Sequence, residues 1–154
     1  MRFVRLLAFI LPLLAPLVLH AQREKLPPED VEFVEKTWPA AKKTTTGIRY
    51  LVLKEGAGPL AKPGDKAKVL YTGRLLNGTV FDQRLDAKDA FTFRVARGEV
   101  ILGWDQILQQ MKAGEKRLVI VPPELAYGTR GQPPRIGRNA TLVFEMELIE
   151  LSHD

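Results

Sequence analysis

The sequence has no cysteine, and its two histidines are His20, near the N-terminus, and His153, one residue from the end. A Cys-His pair or a Ser-His-Asp triad therefore cannot be assembled in the body of the chain, and zinc sites built from cysteine and histidine are excluded as well. A carboxylate pair remains available, but no spacing among the 18 acidic residues singles out two of them. Without disulfides, the fold must be stabilised by a packed hydrophobic core.

The chain also lacks a segregated basic region. Its 23 Lys and Arg residues exceed the Asp and Glu residues by five, but the two signs are interspersed along the sequence. Nucleic-acid binding typically needs basic residues clustered on one face together with aromatic residues. We therefore expect no nucleic-acid partner, and the missing cluster of metal-ligating residues predicts no metal site.

Residues 1–21 differ in character from the rest. Arg2 and Arg5 precede an uncharged apolar run from Leu6 to Leu19, and small Ala21 follows shortly after. This layout is typical of a secretory signal peptide cleaved after Ala21. The alternative is a membrane anchor, but the run is shorter than the ~20 residues that cross a bilayer and contains two prolines. We expect a bacterial protein that is exported to the periplasm or secreted, with no stable membrane insertion after cleavage.

Two further regions follow the leader. Residues 22–45 are polar and proline-containing, which predicts a tail or linker with a short helix over 29–36. Apolar residues in this stretch, such as Val34 and Trp38, could instead pack on the domain or on a partner. Residues 46–154 are enough for one packed core and too few for two domains.

Short β-like runs dominate the domain. Asn77-Gly78 lies between two of them and is a strong hairpin signal. In the last run, apolar residues at even positions from Leu142 to Leu148 show the period of two of a strand with one buried face. The predicted strands are Ile48 to Lys54, Ala67 to Leu75, Thr79 to Asp82, Phe91 to Val95, Lys116 to Val121 and Thr141 to Leu151.

Only one segment of the domain has a convincing helical period. Trp104, Ile107, Leu108 and Met111 fall on one side, and Asp105 is among the polar residues on the other. Lys112-Ala113-Gly114 is expected to end this helix. The predicted fold class is α+β, a curved antiparallel sheet of about five to six strands wrapped around one short central helix.

Several short motifs occur together in a fixed order. In this order and spacing, from about Thr46 to Leu151, they resemble the FKBP-type peptidyl-prolyl cis/trans isomerases. The motifs are Tyr71-Thr72-Gly73, Gly78-Thr79-Val80-Phe81-Asp82, Phe91-Thr92-Phe93, Glu99-Val100-Ile101-Leu102-Gly103-Trp104, Ala126-Tyr127-Gly128, and the run from Asn139 to Leu148.

The resemblance implies an FKBP-like fold and a cleft that binds proline. The proline ring would lie over Trp104, the Ile101 backbone N–H and the Tyr127 hydroxyl would donate to ligand carbonyls, and Asp82 would face the twisting amide. No cofactor is implied, because the barrier to rotation about a peptide bond is conformational. The other substrate-binding residues implied are Tyr71, Phe81, Phe91, Val100, Ile136 and Phe144.

Each of these residues also has an ordinary structural explanation. Taken singly, Phe91, Phe144 and Trp104 would fit a hydrophobic core equally well. Phe93 shares a face with Phe91 in an extended strand, and we expect it in the core. Their joint appearance in family order favours the cleft.

One loop departs from the family pattern. Within residues 131–138, Gln132 stands where a histidine is common, Arg135 where an apolar residue often lies, and Gly137-Arg138 where a stiff pair is frequent. Ile136 would still supply an apolar contact to the cleft. We expect a more mobile and more basic rim, with altered substrate preference or weaker binding of the macrolide inhibitors of the family.

The resemblance implies a peptidyl-prolyl isomerase that acts on proline-containing polypeptides during the folding of exported proteins. Because the stretch from Gln22 to Thr46 is short and interrupted by prolines, it leaves no room for the long dimerisation helix of some exported relatives, and we expect a monomer. The alternative is a binding or chaperone module of the same fold that holds proline-containing segments with little turnover.

Overall fold

The computed structural model describes residues 23–153, so the predicted signal peptide lies outside the described residues. Nine strands, two α-helices and two short 3₁₀ turns, over Ala87–Asp89 and Pro123–Leu125, make up the described chain. The helices are α1 (Pro28–Thr37) and α2 (Leu102–Leu108). The strands are β1 (Lys42–Lys43), β2 (Arg49–Lys54), β3 (Ala57–Leu60), β4 (Lys66–Leu75), β5 (Val80–Arg84), β6 (Phe91–Arg94), β7 (Lys112–Ala113), β8 (Lys116–Val121) and β9 (Leu142–Ser152).

Seven of the strands form one antiparallel sheet in the order β1-β2-β8-β9-β4-β5, with β6 also paired to β4. Strand β4 lies inside the sheet and pairs with β9 along its length on one edge. Its other edge pairs first with β6 and then with β5. The Asn77-Gly78 hairpin joins β4 to β5 as predicted, with Gly78 at φ 88°.

The α+β prediction is confirmed, and all six predicted strands form. The sheet has seven strands rather than five to six, because the two-residue β1 adds to its edge through pairing with β2. A second small sheet joins β3 to β7. Two-residue strands show no periodicity in sequence, so only the pairing partner reveals them.

Helix α2 packs its apolar side into the main hydrophobic core against one face of the sheet, where Trp104, Ile107 and Leu108 are buried. The predicted end of this helix is wrong. The helix stops at Leu108, and Lys112–Ala113 forms β7 because its backbone pairs with β3. Asp105 also lies inside the protein rather than on a solvated face.

The opposite face of the sheet is partly covered by the N-terminal segment. Leu26 and Val34 of this segment are buried against Ile120 of β8 and Val143 of β9. The predicted short helix exists as α1, begun by Pro28 in its first turn. Residues 23–45 therefore pack on the domain, which is the alternative that the sequence left open, and do not extend as a tail.

Polar contacts fasten this segment to the domain. The Glu24 carboxylate accepts hydrogen bonds from Lys43 at 2.8 Å and Arg49 at 2.9 Å. Burial by itself would raise the pKa of Glu24, but hydrogen bonds from Lys43, the Leu26 N–H and Arg49 lower that pKa to about 2. The segment is thus joined to the sheet by both apolar packing and charge.

Candidate active site

A cleft opens between the N-terminus of α2, the β4–β5 hairpin and the chain after β8. Its cavity measures about 170 Å³. Nine of the ten residues that the sequence singled out for the site line it, and Glu99 is the additional lining residue. The lining consists of Tyr71, Phe81, Asp82, Phe91, Glu99, Val100, Ile101, Trp104, Tyr127 and Phe144.

The floor of the cleft is a cluster of aromatic rings. Trp104 is only 4% exposed, and its ring meets that of Tyr71 edge-on at 4.8 Å between centroids. Phe144 of β9 meets Trp104 edge-on at 5.3 Å. Edge-to-face packing of this kind holds each ring in one orientation. Phe93 is buried beside the cluster, as predicted for a core residue.

Gly73 makes room for these rings. Strand β4 places it opposite both Asp82 of β5 and Phe144 of β9. A Cβ atom at this position would lie 2.6 Å from Cζ of Phe81 and 2.9 Å from Cε1 of Phe144. Because no side chain fits there, the glycine of Tyr71-Thr72-Gly73 allows the two phenylalanines to form the wall of the cleft.

The polar edge of the cleft is organised around Asp82. The Tyr71 hydroxyl donates to the Asp82 carboxylate at 2.5 Å, and the Gln83 N–H donates to its other oxygen at 2.9 Å. Burial, the hydrogen bond to Asp82 and the charge of that carboxylate raise the pKa of Tyr71 above its ordinary value. Tyr71 therefore remains a neutral donor throughout the physiological range.

Two residues that line the cavity, Ile101 and Tyr127, carry donors without a protein acceptor in the described part of the chain. Within residues 23–153, neither the Ile101 N–H nor the Tyr127 hydroxyl is engaged in a hydrogen bond with the chain. Burial and the negative charge of Asp82 raise the pKa of the Tyr127 phenol, which keeps its proton in place. Both groups can therefore donate to an oxygen of a bound molecule.

Comparison with known proteins decides the family. A model described as FKBP-type peptidyl-prolyl cis-trans isomerase matches residues 58–149. The chain belongs to this family. The α+β sheet, the aromatic cleft and the sequence motifs are thus those of an FKBP-type domain, as the resemblance implied.

Curated relatives agree with this assignment. The chain is 45% identical over 131 residues to the Rattus norvegicus protein named peptidyl-prolyl cis-trans isomerase FKBP4, covering 84% of this chain and 27% of the relative. It is 48% identical over 91 residues to the FKBP2 isomerase of Mus musculus, covering 59% of this chain and 65% of the relative. The chain spans about a quarter of the length of the FKBP4 relative.

Solved structures share the fold. The crystal structure of FkpA from Escherichia coli superposes with a TM-score of 0.72 at 36% identity, covering 80% of this chain and 58% of the other. That of AtFKBP13 gives a TM-score of 0.68 at 37% identity, covering 73% and 98% respectively. The predicted FKBP-like fold is confirmed.

Asp105 supports one side of the FKBP-type cleft, although its place on the polar side of the predicted helix gave no indication that it is buried. The buried Asp105 carboxylate accepts hydrogen bonds from the Ala96 N–H at 2.9 Å and the Gly98 N–H at 3.0 Å. Ala96 has φ 55°, which is unusual for a residue with a side chain. Asp105 therefore holds the turn that leads into Glu99, Val100 and Ile101. In the sequence, the position of Asp105 directly after Trp104 could have indicated that its side chain lies near the cleft.

Ile136 is the one predicted binding residue that does not line the FKBP-type cavity. It is 2% exposed and packs in the hydrophobic core, so it anchors the loop to the core. Its backbone and that of Gln132 exchange two hydrogen bonds, at 2.8 and 3.0 Å. The predicted mobility of this loop stays a prediction, whereas its basic side chains Arg130, Arg135 and Arg138 are exposed.

Two further observations bear on cofactors and membranes. Among residues 23–153, no group of three or more His, Cys, Asp or Glu side chains is placed to hold a metal ion. In the same part of the chain, neither helix has the length and apolar character needed to cross a bilayer.

Proposed function

We propose that this protein accelerates cis/trans isomerisation of X-Pro peptide bonds in polypeptides, binding the proline in the aromatic cleft over Trp104. The observation that carries the proposal is the pair of unengaged donors, the Ile101 N–H and the Tyr127 hydroxyl, beside a buried aromatic floor. Membership of the FKBP-type isomerase family supports the same activity.

Rotation about the X-Pro bond needs no nucleophile. The barrier of about 18–20 kcal/mol arises because the planar amide loses its resonance as it twists. An apolar cavity disfavours the planar, strongly dipolar amide relative to the twisted one, and fixed donors stabilise the carbonyl oxygens as they turn. The absence of cysteine and of histidine from the cleft is therefore compatible with catalysis.

Each polar residue has a distinct role in this scheme. Ile101 and Tyr127 donate to ligand carbonyls and fix the peptide on either side of the twisting bond. Asp82, whose carboxylate is oriented by Tyr71, faces the amide at the mouth of the cleft. Trp104 supplies the surface on which the proline ring lies, and the phenylalanines close the sides.

The setting proposed for this activity rests on residues 1–21. A cleaved leader would export the protein to the periplasm or the medium of a bacterium, where slow proline isomerisation limits folding. We propose proline-containing unfolded chains as substrates, macrolides of the kind that bind this family as inhibitors, and a monomer as the working state.

The test is the cis-to-trans rate of a series of X-Pro peptides with the purified protein and its Tyr127→Phe and Asp82→Ala variants. Loss of the single donor of Tyr127 should lower kcat/KM by roughly two- to tenfold, since one hydrogen bond contributes about 0.5–1.5 kcal/mol. Tyr50→Phe and Asp89→Ala are matched controls outside the cleft. Peptide binding without acceleration would favour the chaperone alternative, and absence of both would reject the site.

A further inference from the structure

The loop from Ala126 to Thr141 contains three arginines and no acidic residue. Arg130, Arg135 and Arg138 are all exposed. None of them forms an ion pair with another residue of the described chain, whereas Arg49, Arg74, Arg84 and Arg117 each do. The loop beside the cleft therefore carries an excess of positive charge that no ion pair within residues 23–153 offsets.

Arg135 is held in a fixed place. It lies in the turn closed by the reciprocal hydrogen bonds of Gln132 and Ile136, and the buried Ile136 side chain anchors the turn in the core. The two backbone segments that flank the turn also lie close together. At Gly131, which has φ 65°, a Cβ atom would lie 2.6 Å from the Gly137 carbonyl oxygen. The backbone that carries Arg135 is thus preorganised.

The Arg135 side chain reaches across to β5. Its Nη1 donates to the Phe81 carbonyl oxygen at 3.2 Å. Arg135 and Phe81 both line a recess of about 310 Å³ that shares Phe81, Asp82 and Tyr127 with the proline cleft. A peptide whose proline lies over Trp104 would therefore place a neighbouring side chain in or beside this recess.

The remaining donors of Arg135 have no acceptor within residues 23–153. A guanidinium presents a rigid fork of N–H groups that matches a carboxylate and is weakly hydrated, so it is suited to recognise one. The Asp82 carboxylate also borders the recess, but within residues 23–153 it forms no ion pair with Arg135 and instead accepts from the neutral donors Tyr71 and Gln83.

We propose that the recess is a subsite for an acidic side chain, Asp or Glu, within two residues of the proline in the substrate, with Arg135 as its recognition residue. Arg130 and Arg138 add to the positive potential that attracts such a chain. The inference rests on the proposed function and specifies the substrate class of the same site.

The test compares pairs of otherwise identical proline peptides that carry Glu or Gln at one of the four positions within two residues of the proline, the X position included. At one or more positions, kcat/KM for the Glu peptide should exceed that for the Gln peptide by roughly two- to fivefold at low salt, the scale of one solvent-exposed ion pair. The preference should shrink in 0.5 M NaCl, because screening weakens exposed charge pairs.

Three variants locate the effect. Arg135→Gln should bring the ratio of Glu-peptide to Gln-peptide rates to about one, and Arg135→Lys should retain part of the preference. Arg74→Gln, which removes an arginine of β4 that pairs with Glu145, is the matched control and should retain all of it. Equal rates for Glu and Gln at every position, or a preference that survives Arg135→Gln, would overturn the proposal.

Binding of the same peptides, followed by indole fluorescence, separates this inference from the isomerase proposal. If the protein binds the peptides without accelerating them, the isomerase proposal fails, and the Kd ratio of Glu to Gln peptides still decides the role of Arg135. Acceleration of all peptides with no charge preference would reject the acidic subsite alone.

Discussion

The Thr141 hydroxyl donates a 2.6 Å hydrogen bond to the Asp30 carboxylate, joining the last residue of the arginine-rich loop to helix α1. At the other end of the same stretch, Lys25 forms an ion pair with Glu124 at 2.6 Å, three residues before Tyr127. The N-terminal segment therefore contacts both ends of the stretch that carries Tyr127 and the rim arginines. These two contacts help to fix the position of that stretch relative to the sheet.

Removing the Asp30–Thr141 hydrogen bond should destabilise the protein. Thr141 is buried, so Thr141→Val leaves the carboxylate without its donor and should lower the free energy of unfolding by about 1–2 kcal/mol. Asp30→Ala should cost a similar amount, and the double variant should cost less than the sum because both changes remove one interaction. Urea unfolding at neutral pH measures all three.

Two comparisons make this result specific. Thr141→Ser keeps the hydroxyl and should retain most of the stability, whereas Thr129→Val changes an exposed threonine of the same loop and should have little effect. Additive losses in the double variant would show that Asp30 and Thr141 act independently.

The Glu24 cluster predicts a loss of stability in acid. Because hydrogen bonds hold the folded-state pKa of Glu24 at about 2, below its ordinary value of 4.5, the folded state favours the ionised carboxylate. The resulting stabilisation is complete above pH 4.5 and disappears as the pH falls towards 2. Glu24 is one-third exposed, so we expect roughly 1–2 kcal/mol after solvent screening.

The measurement is the free energy of unfolding of the protein and of Glu24→Gln between pH 2 and pH 7. The variant should be less stable at neutral pH, and the two curves should converge in acid. Asp65, whose pKa is also lowered, contributes to both curves and cancels in the difference. Glu29→Gln, on an exposed position of α1, is the control. Parallel curves across the range would contradict the prediction.

Gly73→Ala should damage the cleft. The added methyl group would overlap the rings of Phe81 and Phe144, so one of them must move, at a cost of about 1–3 kcal/mol in stability. Displacement of Phe81 also narrows the cavity, and we expect a reduced kcat/KM for proline peptides. Gly137→Ala is the matched control, since no atom lies within 4 Å of a Cβ there. Unchanged activity and stability in Gly73→Ala would show that the wall of the cleft is plastic.

Much of the fold and the site could be predicted because the signals are local. Alternating burial along β9, the Asn77-Gly78 turn and the apolar side of α2 each follow from the spacing of neighbouring residues. The cleft residues were found by motif order, and the family match supports that route. Ile136 lines the adjoining recess rather than the cavity over Trp104, a difference that residue type alone does not reveal, and its part in substrate binding stays a prediction.

The sequence by itself determined the antiparallel strands, the central helix, the family and nine of the ten residues lining the cleft, since periodicity and motif spacing reflect backbone geometry directly. Only the tertiary structure decided that residues 23–45 pack on the sheet. It also decided that the buried Asp105 accepts a hydrogen bond from the Ala96 N–H and that Arg135 donates one to the Phe81 carbonyl oxygen. These features depend on partners far apart in the chain. Their free energy comes from burial and hydrogen bonds that exist only once the distant segments are brought together.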